Sequence, residues 1–385
     1  MNYKLMNKNM EVLDFSYDYE THTITKITKI SHSEYAPLGI MEYKTGITRK
    51  AFNDWWKNRS IPASRSRFKE AMAEMNIASS MELLEKCFGL SLSDQYWVKD
   101  DSDIEWKDIN FFENDFSEDM GKLLIGQIDY TDDLDIFSPD NSSDGNLKKK
   151  WKIINGTRYL LKGGNCFTNQ EPFNEVVATK LYDRILDRED YVPYALIQEN
   201  GVYYSACPTM INTNEELVSA YYIDRTIKQR GNDSLYKHFL EACQFLHIPN
   251  AQLSINKMIV CDYLIANYDR HDRNFGAIRN IETLKWKCMA PIFDSGSCLW
   301  ATQPTAMIGS TYKNKPFHAL AEKQLELVDD LSWLDISKLE GFEKEIEDIF
   351  SKNPLMDETR IKAIVEQVKL RIKTVTEYKR KLEEM

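Results

Sequence analysis

Patterns of apolar and polar residues predict mixed strands and helices in the first part of the chain. Residues 11–17 and 23–30 alternate in polarity, which predicts two strands joined by a turn. Thr48 and Ser64 each precede a run with helical spacing and are the predicted N-caps of two helices. We therefore expect a small unit of strands and helices at the start.

A strongly acidic stretch follows this unit. Residues 99–144 contain fifteen Asp or Glu against three Lys, with Trp106, Phe111, Phe112 and Phe116 interleaved. This composition predicts a partly ordered connection. We place an N-terminal accessory domain, with the first part of this acidic connection, at residues 1–120.

The central part predicts a small mixed sheet with one packed helix. Residues 147–162 form two apolar runs joined by Asn155-Gly156, a strong hairpin signal, and the second run ends at Lys162. A helix is predicted from about Pro172, because proline is tolerated in the first turn. A further hairpin turns at Asn200-Gly201. These elements define a predicted lobe at residues 121–211.

The remainder, residues 212–385, is predicted to be mainly helical. Ile255, Met258, Ile259, Leu264 and Ile265 form the stripe of a buried helix that ends near residue 267. Two amphipathic helices are predicted at about 336–351 and 358–382. The fold class is therefore α+β, with a sheet lobe, a helical lobe and an additional N-terminal domain.

Composition and charge narrow the classes of function. The chain is 43% hydrophobic and carries a formal net charge of −11, which argues against a general nucleic-acid or membrane-surface binder. Its seven cysteines include no Cys-x-x-Cys pair, so buried free thiols in a reducing compartment are expected. With no signal-peptide pattern and no run of about 18 apolar residues, a soluble cytoplasmic protein is predicted.

Two acidic motifs carry the candidate chemistry. Asp269 and Asn274 lie five positions apart directly after the buried helix, so a carboxylate and an amide can share one cleft. The largely apolar stretch 286–293 then leads to Asp294, with Gly296 two residues later. Carboxylate and amide oxygens suit Mg²⁺, and a carboxylate can accept the proton of a hydroxyl. A capping Asp in a polar loop and a turn after a core strand are the alternatives.

These motifs resemble those of a known family. Asn267-Tyr268-Asp269-Arg270-His271-x-x-Asn274-Phe275-Gly276, followed by Ala290-Pro291-Ile292-Phe293-Asp294, is similar to the kinase region of HipA-like serine/threonine kinases, a family that includes bacterial persistence toxins. Catalytic loops of the phosphatidylinositol-kinase type are also similar. The resemblance covers residues 135–385 and implies a bilobal, protein-kinase-like fold.

The resemblance implies roles for five residues. Asp269 would be the catalytic base, and Asn274 and Asp294 would bind Mg²⁺. Lys162 would contact the phosphates of ATP, and Glu175 would pair with Lys162. A solvated lysine at a strand end and a surface glutamate favoured by the helix dipole are the alternatives for the last two.

The segment 138–150 occupies the position of the phosphate-covering loop of kinases. It contains one glycine and no Gly-x-Gly-x-x-Gly. Lys148 or Lys149 is a candidate phosphate contact, and Ser142 or Ser143 is a candidate autophosphorylation site. A solvated flexible loop is the alternative.

Two further residues are candidates for the nucleotide site. Met210 follows a predicted strand at the position of the interlobe hinge, so it is a candidate neighbour of adenine, although methionine there is more often core. His271 is a candidate second base, and bracing of the loop by hydrogen bonding is the favoured role.

Three functions are compatible with these residues. The favoured one is an ATP- and Mg²⁺-dependent protein serine/threonine kinase capable of autophosphorylation, as a toxin or a regulatory kinase. The alternatives are a kinase-fold enzyme acting on a lipid or small molecule, and a non-catalytic nucleotide-binding module. The expected partners are ATP, a protein with a Ser or Thr acceptor, and an antitoxin or regulatory protein, with no nucleic acid and no membrane. The first domain does not match the N-terminal domain of the persistence toxins.

Overall fold

The computed structural model describes residues 2–62, 64–65, 67–142, 145–231 and 233–384. Within these residues the strands form four separate sheets, and longer helices dominate after the last hairpin of the central part. The predicted α+β class is confirmed.

The N-terminal unit is a four-stranded antiparallel sheet covered by helices. Its elements are β1 (Asn2–Asn7), β2 (Met10–Asp18), β3 (Thr23–Ile30), the ribbon strands β4 (Met41–Glu42) and β5 (Gly46–Ile47), helices α1 (Arg49–Asn58), α2 (Phe68–Glu74) and α3 (Ser80–Lys86), and β6 (Tyr96–Lys99). The sheet order is β3-β2-β1-β6. Leu13 and Phe15 of β2 are buried against Phe52 and Trp55 of α1, as alternation predicts.

The helix starts of this unit test the capping predictions. Thr48 caps α1, since its Oγ1 accepts from the Ala51 amide at 3.1 Å. The prediction for Ser64 is wrong. Helix α2 begins at Phe68 after Arg67, which has a left-handed backbone (φ 61°), and the Ser64 hydroxyl instead donates to Asn146 Oδ1 at 2.6 Å. The hydroxyl therefore bonds to the central lobe and not to a helix terminus.

The acidic stretch is ordered by its aromatic residues. It contains α4 (Trp106–Ile109) and α5 (Asp119–Ile125), and Trp106 and Phe111 are buried in a cluster with Trp97 and Ile211. One set of α5 side chains packs with α2, whereas Ile125 at its end packs with the central lobe. The predicted division at residue 120 falls inside this helix and stays a prediction.

The central lobe is built from two hairpins and a helix. Its elements are β7 (Lys149–Ile154), β8 (Thr157–Lys162), α6 (Glu171–Ile185), β9 (Ala195–Glu199) and β10 (Val202–Pro208). The turns Asn155-Gly156 and Asn200-Gly201 have positive φ at both residues, which confirms both hairpins. The sheet order is β7-β8-β10-β9, and every neighbouring pair is antiparallel. The expectation of a mixed sheet is therefore wrong, because hairpins supply the outer pairs and the long α6 connection brings β10 back antiparallel to β8.

The C-terminal lobe is mainly helical, as predicted. Its elements are β11 (Glu215–Ser219), α7 (Ala220–Ile223), α8 (Leu235–Phe245), α9 (Ala251–Leu264), β12 (Gly276–Asn280), β13 (Trp286–Met289), α10 (Ala321–Leu325), α11 (Phe342–Phe350) and α12 (Glu358–Glu384). Helix α9 is buried around most of its circumference and centres the largest core, which also receives α6, α11 and α12. The predicted helix 336–351 is interrupted at Gly341 (φ 79°), where a 3₁₀ turn ends and α11 begins.

The state of the cysteines and the presence of membrane-spanning helices can be checked in the structure. All seven cysteines are free thiols and five of them are buried, as expected. Among the described residues, no helix combines the length and the apolar composition needed to cross a bilayer.

Candidate active site

Lys162 connects the central lobe to the helical lobe. It lies at the end of β8 with 5% of its surface exposed. Its Nζ lies 3.0 Å from Oε1 of Glu175, which α6 supplies, and 2.5 Å from Oδ1 of Asp294, 132 positions away in sequence. It also donates to the hydroxyl of Tyr194 at 3.1 Å. The structure therefore brings together three of the predicted site residues.

The charges of this cluster stabilise one another. Burial would lower the pKa of Lys162, but the carboxylates of Asp294 and Glu175 outweigh it and raise that pKa well above the usual value. Burial would raise the pKa of Asp294, but Lys162 and Lys149 lower it below the ordinary range. For Glu175, burial dominates and raises the pKa. Asp294 is consequently a carboxylate at neutral pH.

The backbone beside Asp294 is held from two sides. Asp294 itself has a left-handed backbone (φ 58°), a conformation in which Asp is enriched relative to other L-residues. Its amide donates to the Tyr194 hydroxyl at 3.3 Å, and the Ser295 amide donates to Oε2 of Glu175 at 2.9 Å. The same glutamate thus binds Lys162 with one oxygen and orients the backbone beside Asp294 with the other.

Arg270 fixes the loop 267–276 against this segment. Its guanidinium is fully buried, and Nε and Nη2 donate to the two oxygens of Asp262 on α9, each at 2.9 Å. Nη1 donates to the carbonyls of Asn274 and Phe293, and Nη2 donates to the Ser295 hydroxyl at 3.0 Å. One side chain therefore holds the loop that carries Asn274 next to the turn that carries Asp294.

Asp269 stands at the open side of this loop. Its amide donates to Oδ1 of Asn267 at 3.2 Å, and its side chain is 36% exposed. Its Oδ1 lies 2.8 Å from Nζ of Lys315, a residue of the segment that follows Asp294. Such a carboxylate, fixed through its backbone and open to solvent, can accept a proton from a hydroxyl that approaches.

The donor groups fit a magnesium ion. Nδ2 of Asn274 donates to the Asp269 carbonyl at 3.1 Å, which turns the amide so that no described residue donates to Oδ1. Asp294 offers its second carboxylate oxygen. No group of three His, Cys, Asp or Glu side chains suited to a metal occurs in the described residues. A nucleotide-bound Mg²⁺ needs only one or two protein oxygens besides phosphate and water, and the oxygens of Asn274 and Asp294 are of the type that this ion prefers.

The two candidate phosphate-binding lysines lie at the start of the strand that neighbours Lys162, with Lys149 as the first residue of β7 and Lys148 just before it. Lys149 is the register partner of Lys162 in the β7–β8 pair, so both side chains leave the same face of the sheet. Its charge lowers the pKa of Asp294, which agrees with a place at the cleft. Lys148 accepts a 2.7 Å hydrogen bond from the Gly163 amide through its carbonyl. Lys149 is thus the better supported phosphate contact.

The structure describes the contacts of the two remaining candidates, Met210 and His271. Met210 is half-buried and packs on the cluster of Val192, Tyr194 and Cys207, beside the Lys162 site. Nδ1 of His271 accepts from the Arg273 amide at 3.2 Å, which is the bracing contact favoured for this residue. The adenine role of Met210 stays a prediction.

The predicted phosphate-covering loop is partly packed. Ser142 ends a 3₁₀ turn in which Asp140 and Asn141 are fully buried, and its hydroxyl donates to the Leu90 carbonyl at 2.6 Å. Phosphorylation of Ser142 therefore requires this turn to detach from the N-terminal unit. Ser143, the other candidate, lies outside the described residues.

Sequence reasoning missed three residues of the site. Arg270 belongs to the motif but had no predicted role, Tyr194 had none, and the contact of Lys315 with Asp269 was not predicted. Asp262, a charged residue within the buried stripe of α9, was a usable signal for Arg270, because a buried carboxylate requires a partner. Tyr194 and Lys315 carry no comparable signal.

The geometry defines a class of protein. A lysine from a strand, paired with a helix glutamate and facing an aspartate, with an Asp-x4-Asn loop beside it, is the arrangement of kinase-like folds.

Comparisons with known proteins show similarity to a serine/threonine kinase. No family model matches the chain. The chain is 31% identical over 101 residues to the serine/threonine-protein kinase CtkA of Helicobacter pylori, which is 25% of this chain and 31% of that protein. The match thus spans about a third of the length of this relative. The crystal structure of the Helicobacter pylori proinflammatory kinase CtkA aligns with a TM-score of 0.47 and 19% identity, over 61% of this chain and 95% of that chain.

Proposed function

We propose that this protein is an ATP- and Mg²⁺-dependent phosphotransferase of the HipA-like kind, which transfers the γ-phosphoryl group to a Ser or Thr hydroxyl of a protein. The observation that carries the proposal is the contact of Lys162 with both Glu175 and Asp294 across the two lobes. In protein kinases this lysine–glutamate pair and this aspartate must be in place together for catalysis. The partial similarity to a serine/threonine kinase agrees with it.

Each residue has a distinct task in this proposal. Lys162 binds phosphate oxygens, with Lys149 or Lys148 as a second cation and Met210 beside the adenine. Asn274 and Asp294 hold Mg²⁺, which when bound neutralises phosphate charge. Asp269 accepts the proton of the acceptor hydroxyl, and His271 braces the loop. This division of tasks rests on positioning and electrostatics and needs no covalent intermediate.

The finer parts of the proposal come from the family resemblance. They are autophosphorylation at Ser142 or Ser143, and an antitoxin or regulatory protein as partner. The 3₁₀ turn that ends at Ser142 packs on the N-terminal unit, which makes this unit the natural place for a partner to act on the loop.

A transfer assay tests the function. Purified chain is incubated with γ-labelled ATP and MgCl₂, with and without a mixture of protein acceptors, and label is measured in protein and in added lipid. Wild type should label protein, and Asp269→Asn should lose about 100-fold or more of the rate, the size of a general-base contribution. Phosphopeptide mapping of the same sample reports on Ser142 and Ser143.

The matched control is Asp272→Asn. Asp272 lies in the same loop, is exposed, and its side chain makes no hydrogen bond within the described part of the chain. It should keep the wild-type rate. Equal labelling by wild type and Asp269→Asn would contradict the proposal, as would a wild type that binds ATP but transfers no phosphate. Label found only in lipid would show that the acceptor is a lipid and not a protein.

A further inference from the structure

Lys315 makes a contact for which the catalytic-loop motif does not account. Its Nζ lies 2.8 Å from Oδ1 of Asp269, 46 positions earlier in the chain. The two side chains are 43% and 36% exposed, so the pair lies at the mouth of the cleft and not in the core. No described residue donates to the other oxygen, Oδ2. Lys315 therefore binds one carboxylate oxygen of Asp269, and the other oxygen accepts no hydrogen bond from a described residue.

The backbone around Lys315 is held rigidly. Gln324 of α10 is buried, and its Nε2 donates to the Lys315 carbonyl at 2.9 Å. Its Oε1 accepts from the amides of Phe317 and His318, at 2.9 and 3.2 Å. One buried amide therefore satisfies backbone groups on both sides of Pro316, and the lysine is presented from a fixed loop.

The same loop is anchored to the catalytic loop. The Phe317 ring packs with its centroid 6.0 Å from that of Phe275, which directly follows Asn274. It also packs 5.9 Å from Phe239 of α8. Lys315 and Asp269 are thus attached to one aromatic cluster, so their separation depends on packing and not on two mobile side chains alone.

We propose that Lys315 is a positioning residue for phosphoryl transfer, which binds Oδ1 of Asp269 and thereby directs Oδ2 to the acceptor hydroxyl. The inference rests on the proposed function. In the transfer, the hydroxyl oxygen attacks the γ-phosphorus, the bond from that phosphorus to the bridging oxygen breaks, and its electron pair leaves with ADP. The hydroxyl proton passes to Oδ2 of Asp269.

The charge of Lys315 has a second consequence. Asp269 and the terminal phosphate are both anions, and their repulsion opposes the approach that the reaction requires. An ammonium group on the far oxygen offsets this repulsion without taking the proton-accepting position. Lys315 does not take part in the proton transfer itself and so acts through Asp269.

The test compares three variants in the transfer assay with saturating acceptor. Lys315→Met should lower kcat about 10- to 100-fold and change the KM for ATP by a smaller factor, because Lys315 contacts Asp269 and acts mainly on the approach of the acceptor hydroxyl. Lys315→Arg keeps the cation and should recover kcat to within about fivefold of wild type. Melting temperatures of the variants establish that they are folded, and Lys315→Gln serves as a second neutral replacement.

Lys323→Met is the matched control. Lys323 on α10 makes an ion pair of the same 2.8 Å length with Glu326, at similar exposure, but contacts no site residue in the part of the chain that the structure describes. Replacing Lys323 should leave kcat unchanged, because this residue contacts no site residue and because an exposed ion pair contributes little to stability.

A double variant tests whether Lys315 acts through Asp269. In an Asp269→Asn background, Lys315→Met should cause less than a twofold further loss of kcat, because the two residues act as one unit. An active wild type with an unaffected Lys315→Met, or a full further loss in the double variant, overturns the inference alone. A wild type without transfer activity overturns the proposed function and this inference with it.

Discussion

Individual charged residues at this site are tolerated in the interior because each has a fixed partner. Lys162 is buried between Glu175 and Asp294, and Arg270 is buried on Asp262. Removing one partner of such a pair leaves an uncompensated buried charge, which is more costly than replacing the whole pair. The cluster therefore constrains the local conformation of the segments that carry these residues.

Asp140 is a buried carboxylate of a different kind. It is fully buried, accepts the Trp151 amide at 3.1 and 3.3 Å, and accepts the Ser138 hydroxyl at 3.0 Å. Burial dominates over these contacts and over Arg65, and raises its pKa from 3.8 to about 7. The folded state therefore retains this proton over a pH range in which the unfolded chain loses it.

Asp140→Asn should remove a pH dependence of stability. Because the folded-state pKa lies above the unfolded-state pKa, the wild type loses free energy of unfolding as pH rises from about 4 to about 7, with a slope of at most about 1.4 kcal/mol per pH unit. Asn cannot ionise and can still accept the Trp151 amide. Urea unfolding at pH 4.5, 6 and 7.5 should show a variant that gains stability relative to wild type as pH rises.

The measured quantity is the difference in free energy of unfolding between wild type and Asp140→Asn, because the contributions of all other titrating groups cancel in that difference. A difference that is constant across the three pH values would show that Asp140 does not change its protonation in this range. The upper limit of the gain is on the order of 4 kcal/mol at pH 7.5.

Pairs of elements position the loop that carries Asp269 and Asn274. The loop begins after α9 and ends at Gly276, the first residue of β12, which pairs with Ser219 of β11. A Cβ atom at Gly276 would lie 2.1 Å from the Val218 carbonyl oxygen and 2.9 Å from the Cα of Ser219. The close approach of these two strands therefore requires glycine at this point.

Gly276→Ala should separate β12 from β11 and disturb the catalytic loop. The clash is with backbone and cannot be relieved by a side-chain rotation, so we expect a loss of about 1–3 kcal/mol in the free energy of unfolding. The transfer rate should fall as well. Gly231→Ala is the control, since a Cβ there meets no atom within 4 Å. Denaturant titration of both variants gives the measurement, and equal stabilities would refute the steric argument.

The N-terminal unit and the two lobes share buried contacts. Nε2 of Gln95, a fully buried side chain, donates to the carbonyls of Asn212 and Glu215 at 3.1 and 3.0 Å, next to the predicted hinge. Arg65 donates to the Gly145 carbonyl at 3.1 Å, in the predicted phosphate loop. The accessory unit therefore contacts both segments through which a nucleotide would be held.

Gln95→Ala should weaken this junction. It removes two hydrogen bonds and leaves two carbonyls without their donor, so the expected loss is about 1–3 kcal/mol in the free energy of unfolding. Gln198→Ala is the control, because that side chain is exposed and makes only a 3.4 Å contact to Gly201. If both variants unfold at the same urea concentration, the junction contributes nothing to stability.

Much of the fold follows from short-range pattern. The hairpins at Asn155-Gly156 and Asn200-Gly201, the helix that begins near Pro172 and the long C-terminal helix were predictable, because turn residues and helical periodicity act on neighbouring positions. Two wrong predictions also concerned short-range structure. Ser64 resembles an N-cap but bonds to Asn146, and the apolar spacing around Gly341 conceals a helix break.

In the candidate site too, some features were predictable from sequence and others depended on the fold. The residue types and spacing of Asp269, Asn274 and Asp294 specify which chemistry is available, and family resemblance added Lys162 and Glu175. The bridge of Arg270 between two segments, the clamp of Tyr194 and the pairing of Lys315 with Asp269 required the folded chain. Contacts between residues tens to more than a hundred positions apart depend on how the lobes pack, and no local pattern in a single sequence encodes that packing.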